Sequence, residues 1–444
     1  MVCFHTHMCG DETQRKHSSK QSTSKHRLEK QADVLRFLVE FTCLMVPISA
    51  GMFFGDHLVE LVCVLGVACS ILWVFRPTKR RQQNAQQLGD SARKPFITAY
   101  RSCMMFSTCV AILAVDFVFF ERRFAKTETF GISLMDTGVG SFMFSAGLVS
   151  PLLRRGAFDT PPEGREQVTQ PAARSSHSAL LRSLRSALPL FVLGAGRLFT
   201  TKATDYHVHT SEYGVHWNFF ITLGFLSLIV SALKPSPRSA PIWALLIGIV
   251  YQLALQFGLT HYVLEAPRIS LIDMNKEGVC SLLGYVVIHL LGFYTGSLFF
   301  TSQDTASHRS SRPKHTSLWF LVALAFLCWI FYWLMSEFVQ EPSRRLANIP
   351  YVAHVVGLNV LLLIAFQLVD QIQEPSVSFI FEGLNANALP LFLLANLGTG
   401  AINLSMHTLD ASLSTGRLIV LLYLLILCSV AFVCYARSWR LKFW

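Results

Sequence analysis

Apolar blocks of nearly constant length recur through this chain, and that recurrence restricts what it can fold into more than any other feature. About twelve are present, with cores near 33–54, 57–76, 99–119, 132–150, 186–201, 215–233, 240–257, 279–300, 317–335, 351–369, 389–405 and 417–436. Most approach the roughly 20 residues a helix needs to cross a hydrocarbon core. Only helices and closed barrels satisfy their backbone hydrogen bonds in lipid, and blocks of this length favour helices. The expected class is all-α, a polytopic transmembrane protein with about 12 spans, within a range of 11 to 13. Composition agrees: the chain is 52% hydrophobic and 15% charged, whereas soluble domains are about a quarter charged. The blocks near 132, 186, 215 and 389 are short or broken by Gly and polar residues. Such segments are tolerated where they pack on protein or line a cavity.

Residues 1–32 are polar, basic and rich in Ser and His, without an apolar core. They read as a disordered tail rather than a cleavable signal. Residues 33–444 read as one multi-span membrane domain, with flexible loops near 77–98, 151–185 and 301–316 that are rich in Pro, Ser, Gln and charge. The eleven cysteines are scattered without a CxxC pair. Neither a metal site nor a disulfide framework is therefore expected.

The formal charge of +11 invites a nucleic-acid reading, but its distribution points to topology. With a cytoplasmic N-terminus and twelve spans, the tail, alternate loops and C-terminus carry about 25 Lys and Arg, against about 8 on the other face. That is the positive-inside bias, and no nucleic-acid partner is expected. The loops on the less basic face are short, aromatic and mixed in charge, as in "ERRFAKTETFG", "TKATDYHVHTSEYG" and "QEPSRRLANIP". Loops held on a rigid scaffold are the usual seat of function.

Two clusters on that face carry the chemistry. In "DFVFFERRFAKTETFGISLMD", Asp116 falls inside an apolar block, that of residues 99–119. A carboxylate inside a membrane helix costs about 2.5–3.5 kcal/mol on insertion scales. It fits either a general base or a structural ion pair with Arg122, Arg123 or Lys126. Those three cations suit headgroup contact or anion binding. Glu128 and then Asp136 follow, Asp136 in a weak, Gly-containing block where it can bond across a close helix contact. The second cluster, "GAGRLFTTKATDYHVHTSEYGVHWNFF", contains Arg197, Lys202, Asp205, His209, Glu212, Tyr213, His216 and Asn218. Its histidines lack a metal-ligand spacing. Its aromatic faces, acids and amides suit a polyol or sugar headgroup. More diffusely, Lys276, Glu277, His289, Arg344, Arg345 and Asn348 follow, then Asn387, Asn396, Asn403 and His407. Amides between membrane helices serve more often as interhelical links than as ligand contacts. No GxSxG elbow, P-loop or complete dinucleotide fingerprint occurs.

These blocks resemble a known family. "CVAILAVDFVFFERRFAKTETFGISLMDTGVGSF" is similar to the signature of the GPI-anchor inositol acyltransferases, the PIG-W-type enzymes of the endoplasmic reticulum. "GRLFTTKATDYHVHTSEYGVHWNFF", "NKEGVCSLLGY", "SRRLANIPYV" and "LFLLANLGTGAINLSM" resemble its later blocks in the same order. The likeness runs from about residue 33 to the C-terminus, with Phe120-Glu121 departing from the family's usual Phe-Pro. It implies acyl transfer from acyl-CoA, a co-substrate rather than a resident cofactor, to the inositol ring of glucosaminyl-phosphatidylinositol. It implies Asp116 and Lys126 as the catalytic acid and lysine, and a multi-pass protein of the endoplasmic reticulum membrane with lumenal site loops. The Arg pair, Glu128 and the "SEYGVHWN" block would complete the pocket. A transporter predicts inverted repeats, which are not apparent, and a non-catalytic scaffold predicts no defined activity.

Overall fold

The structure, a computed structural model, describes residues 31–57, 59, 60, 63, 64, 67, 94–156, 176–203, 210–300, 318–372 and 377–441. It is helical, and its only β-type pairing among the described residues is an isolated bridge between Gly131 and Ser343. The principal helices are α1 (Gln31–Phe53), α2 (Pro95–Ala114), α3 (Thr137–Gly156), α4 (Ser176–Ala203), α5 (Phe219–Leu233), α6 (Ala240–Glu265), α7 (Lys276–Phe300), α8 (Leu318–Phe338), α9 (Ile349–Ile372), α10 (Phe379–Ala386), α11 (Ala388–Ser405) and α12 (Leu413–Ala436). Among the described residues eight helices are long and apolar enough to cross a membrane: α1, α2, α6, α7, α8, α9, α11 and α12. Two shorter apolar helices lie within α3 and α5. The protein is thus a polytopic helical membrane protein. The block near 57–76 and the loops near 77–98 and 301–316 fall almost wholly outside the described residues.

Several boundaries differ from the sequence expectation. α2 stops at Ala114, so Asp116 lies in a turn beyond the helix and not inside a span. Twenty residues at 1.5 Å each already cover about 30 Å, so the helix has crossed before the acid is reached. Asp136 likewise precedes α3. α4 begins at Ser176, inside the stretch read as a flexible loop, and runs for 28 residues. Its polar first turns break the hydropathy pattern but leave good helix formers in place.

The described residues form two compact units. One takes its residues from Met1–Gly66, Ile112–Phe120 and Ser378–Arg440, the other from Val67–Ala111, Glu121–Val377 and Leu441–Trp444. In the larger unit α7 is the central helix and packs against α3, α6 and α9. The α3–α7 contact is built on glycine. A Cβ on Gly147 would strike the His289 carbonyl, and one on Gly292 or Gly296 would strike the carbonyls of Phe144 or Leu148. Small residues bring membrane helices to backbone contact, where dispersion replaces the missing hydrophobic drive. Buried polar groups tie further helices. Tyr100 donates to Asn359 Oδ1 at 2.6 Å, and Asn359 donates to Ser141 Oγ at 2.9 Å.

In the smaller unit α12 packs against α10 and α11. Glu40 of α1 caps α10 from outside its own segment. It accepts from Ser378 Oγ at 2.8 Å and from the backbone N–H groups of Phe379 and Ile380 at 3.2 and 3.1 Å. A carboxylate at a helix N-terminus meets free N–H donors and the positive end of the dipole. The Phe379 and Tyr435 rings stack 4.8 Å apart.

Candidate functional site

In the larger unit, residues far apart in sequence converge on the segment 121–136. Two loops are sewn together there. Gly131 N–H donates to the Pro342 carbonyl at 2.8 Å, and the Ser343 hydroxyl donates to the Thr129 carbonyl. Asn348 holds the second loop: its Oδ1 accepts from Ser343 N–H at 3.0 Å and its Nδ2 donates to the Glu341 carbonyl at 2.8 Å. Ala347 adopts φ +47°, and a Cβ on Gly284 of α7 would strike its carbonyl. The loop therefore rests directly on the central helix. Left-handed backbone at a residue other than glycine persists only where its surroundings enforce it.

Asp136 is the hub of this joint. It is fully buried and pairs with Arg344 Nε at 2.8 Å. Its carboxylate also accepts from Thr127 N–H and Oγ1 at 3.2 and 2.9 Å and from Ser133 N–H at 2.9 Å. These bonds compensate the desolvation of a buried charge. Asp136 thus bonds along its own loop and to Arg344, where the sequence suggested a contact between packed helices. A second buried acid, Glu277, receives Arg268 at 2.5 Å and Arg345 at 2.8 Å.

On this buried framework stands a more accessible pair, Lys126 with Glu212, whose side chains are 40% and 22% exposed. Burial works to raise the pKa of Glu212, but the cations Lys126, Arg344 and Arg197 outweigh it and hold the carboxyl below its ordinary value. Glu212 therefore remains ionised beside Lys126. Burial acts on Arg344 to lower its pKa, yet the Glu212 charge and the neighbouring tyrosines and Asp136 hold it above the ordinary value. Burial raises the neighbouring Tyr213 phenol, leaving it neutral. A part-exposed lysine whose counter-ion lies in the field of the buried Arg344 is suited to meet developing negative charge.

The remaining sequence candidates fall as follows. Arg122 and Arg123 are exposed; Arg123 pairs with Glu121 and lies over the Phe124 ring at 5.0 Å. Glu128 is exposed. Arg197 and Lys202 are exposed on α4, Lys202 in its last turn, where a cation suits the dipole. His216 N–H donates to Asn275 Oδ1 at 2.8 Å. Asn218 ties two helices instead of facing a ligand. Its Oδ1 accepts from Phe220 and Ile221 N–H to cap α5, and its Nδ2 donates to the Gly194 carbonyl of α4 at 2.8 Å. Asp205 and His209 lie outside the described residues. Asp116 belongs to the smaller unit, where Asn403 Nδ2 donates to its Oδ2 at 2.8 Å. Arg344 was legible as a charge near a span but not as the partner of Asp136, because no local pattern links positions 208 residues apart.

Comparison with known proteins decides the family. The GWT1 family model matches residues 4–434. The chain belongs to the GWT1 family. The GPI-anchored wall transfer protein 1 of Gibberella zeae is 41% identical over 401 residues, 82% of this chain and 78% of that protein. The phosphatidylinositol-glycan biosynthesis class W protein of Dictyostelium discoideum is 34% identical over 442 residues, covering 92% and 89%. The GPI-anchored wall transfer protein 1 of Candida albicans is 39% identical over 385 residues, covering 79% and 77%. The resemblance carried by the residue blocks is borne out at the level of the family. Among the described residues no group of three His, Cys, Asp or Glu is placed to hold a metal ion.

Proposed function

We propose that this GWT1-family member is an acyl-CoA-dependent inositol acyltransferase of GPI-anchor biosynthesis. It moves a fatty acyl group, palmitoyl for preference, onto an inositol hydroxyl of glucosaminyl-phosphatidylinositol. The observation that carries the site is the part-exposed Lys126–Glu212 pair beside the buried Asp136–Arg344 pair. The reaction is a direct transfer. The inositol oxygen attacks the thioester carbonyl, a C–O bond forms, the tetrahedral oxyanion collapses, and the C–S bond breaks. The hydroxyl proton passes through the base to the departing CoA thiolate. The residue blocks assign the base to Asp116 and the oxyanion or its support to Lys126. Arg122, Arg123 and Arg197 suit the phosphates of the two substrates. No resident cofactor enters the scheme. The charge asymmetry supports a cytoplasmic N-terminus and lumenal site loops in the endoplasmic reticulum membrane.

The test uses membranes from cells lacking their own inositol acyltransferase, supplied with labelled palmitoyl-CoA and glucosaminyl-phosphatidylinositol. Wild type is expected to make acylated lipid, and Asp116→Ala and Lys126→Ala at matched protein levels to lose at least about 10²-fold. Activity surviving in both variants removes the site assignment, and absence of product from folded wild type removes the function.

A further inference from the structure

Asp116 sits in a turn whose backbone is set by packing within the smaller unit. Asp116 N–H reaches the Leu113 carbonyl at 3.2 Å, and Phe117 N–H reaches that of Ala114 at 3.1 Å. The Phe117 and Phe119 rings stack at 5.8 Å, and Phe119 meets Phe53 edge-on at 5.2 Å. Both rings close on Gly416 at the start of α12, where an added Cβ would come within 2.8 Å of Phe117. This packing fixes where the Asp116 backbone lies. On its side chain, Asn403, 287 residues downstream near the end of α11, donates from Nδ2 to Oδ2 at 2.8 Å.

We propose that Asn403 is a positioning residue for acyl transfer, orienting the Asp116 carboxylate and holding it ionised. This rests on the reading of Asp116 as the base. The chemistry follows from the groups. An amide NH2 only donates, so its bond to Oδ2 requires an acceptor there and favours the carboxylate over the acid. It is charge-assisted, hence stronger and more directional than a neutral bond. A bond from a helix to one oxygen narrows the orientations open to the carboxylate, and misplacement of a reacting group by about 1 Å costs roughly 10²-fold. A residue serving only to link α11 to the turn would affect folding without touching proton transfer.

The experiment measures kcat, KM and the pH profile of kcat/KM for the full-length protein in detergent–lipid micelles. The variants are Asn403→Leu, Asn403→Asp, Asp116→Asn and the double variant Asp116→Asn/Asn403→Leu, with thermal unfolding recorded for each. Asn403→Leu is expected to lower kcat about 10²-fold with little change in either KM. On α12, packed against this turn, Arg417 lies over the Phe54 and Phe119 rings and is unchanged in every variant. The acid limb of the Asn403→Leu profile moves to higher pH, because removing the donor favours the protonated acid. Asn403→Asp sets a second carboxylate against the first and moves the limb further the same way. In the double variant the second substitution adds no further loss, since Asn403 acts through Asp116. Should Asn403→Leu fail to accumulate, Asn403→Ser supplies the same measurement with a smaller polar side chain. A folded Asn403 variant with wild-type kcat and an unmoved acid limb, beside an inactive Asp116→Asn, overturns the proposal and leaves the base assignment standing. A fully active Asp116→Asn overturns the base assignment and the proposal with it.

Discussion

At the scale of single residues, the protein separates charges that hold from charges that meet solvent. Asp136 and Arg344 are 0% and 6% exposed, whereas Lys126 and Glu212 are 22–40% exposed. Removing one member of a buried pair leaves an uncompensated charge, which costs about 3–5 kcal/mol. Arg344→Met is therefore expected to lower the unfolding midpoint in detergent strongly, and Arg344→Lys less, since it keeps the charge but loses the directed Nε bond. Equal stability of Arg344→Met and wild type would show that the pair does not anchor the loop. The sequence shows that Asp116, Lys126 and Glu212 are unusual, because charge beside apolar blocks is conspicuous. It does not show which charges pair. Lys126 finds Glu212 at a separation of 86 positions and Asp136 finds Arg344 at 208. Such pairings depend on how helices pack, and no local spacing encodes them.

At the scale of elements, glycine decides the closest contact. The α3–α7 joint places Gly147, Gly292 and Gly296 against backbone carbonyls of the facing helix. Carbonyls of a packed helix cannot swing aside as a side chain can. Gly292→Ala is thus expected to destabilise by about 1–3 kcal/mol or more through overpacking. Gly400→Ala on α11, where an added Cβ meets nothing within 4 Å, is expected to be neutral or to gain up to about 1 kcal/mol from helix propensity. Parallel thermal unfolding of the two variants checks this, and an equal response would remove the packing argument. The sequence marked the 132–150 block as weak because of its glycines, Gly147 among them. In the structure Gly147, with Gly292 and Gly296 across from it, lets α3 approach the most buried helix of its unit. Helix ends were less legible. α2 stops before Asp116 and α4 starts before its apolar block, because hydropathy reports the surroundings of a segment and helical backbone extends beyond them.

At the scale of the whole molecule, the expected orientation rests on the distribution of charge. About 25 Lys and Arg fall on one inferred face and about 8 on the other. A glycosylation-acceptor tag inserted between residues 269 and 272 is expected to be modified in cells, and one inserted between 305 and 310 is not. The reverse pattern would invert the orientation. The polytopic helical class and the family were legible in the sequence, since apolar length and long residue blocks are linear properties of a chain, whereas eight of the roughly twelve expected spans are seen among the described residues. The partners of the charged residues emerge only when the helices pack. Asp136 meets Arg344, Glu277 meets Arg268 and Arg345, and Asp116 meets Asn403. A buried or half-buried charge must find its partner across space, because in an apolar interior an unmet charge costs far more than the packing needed to bring that partner from a distant helix.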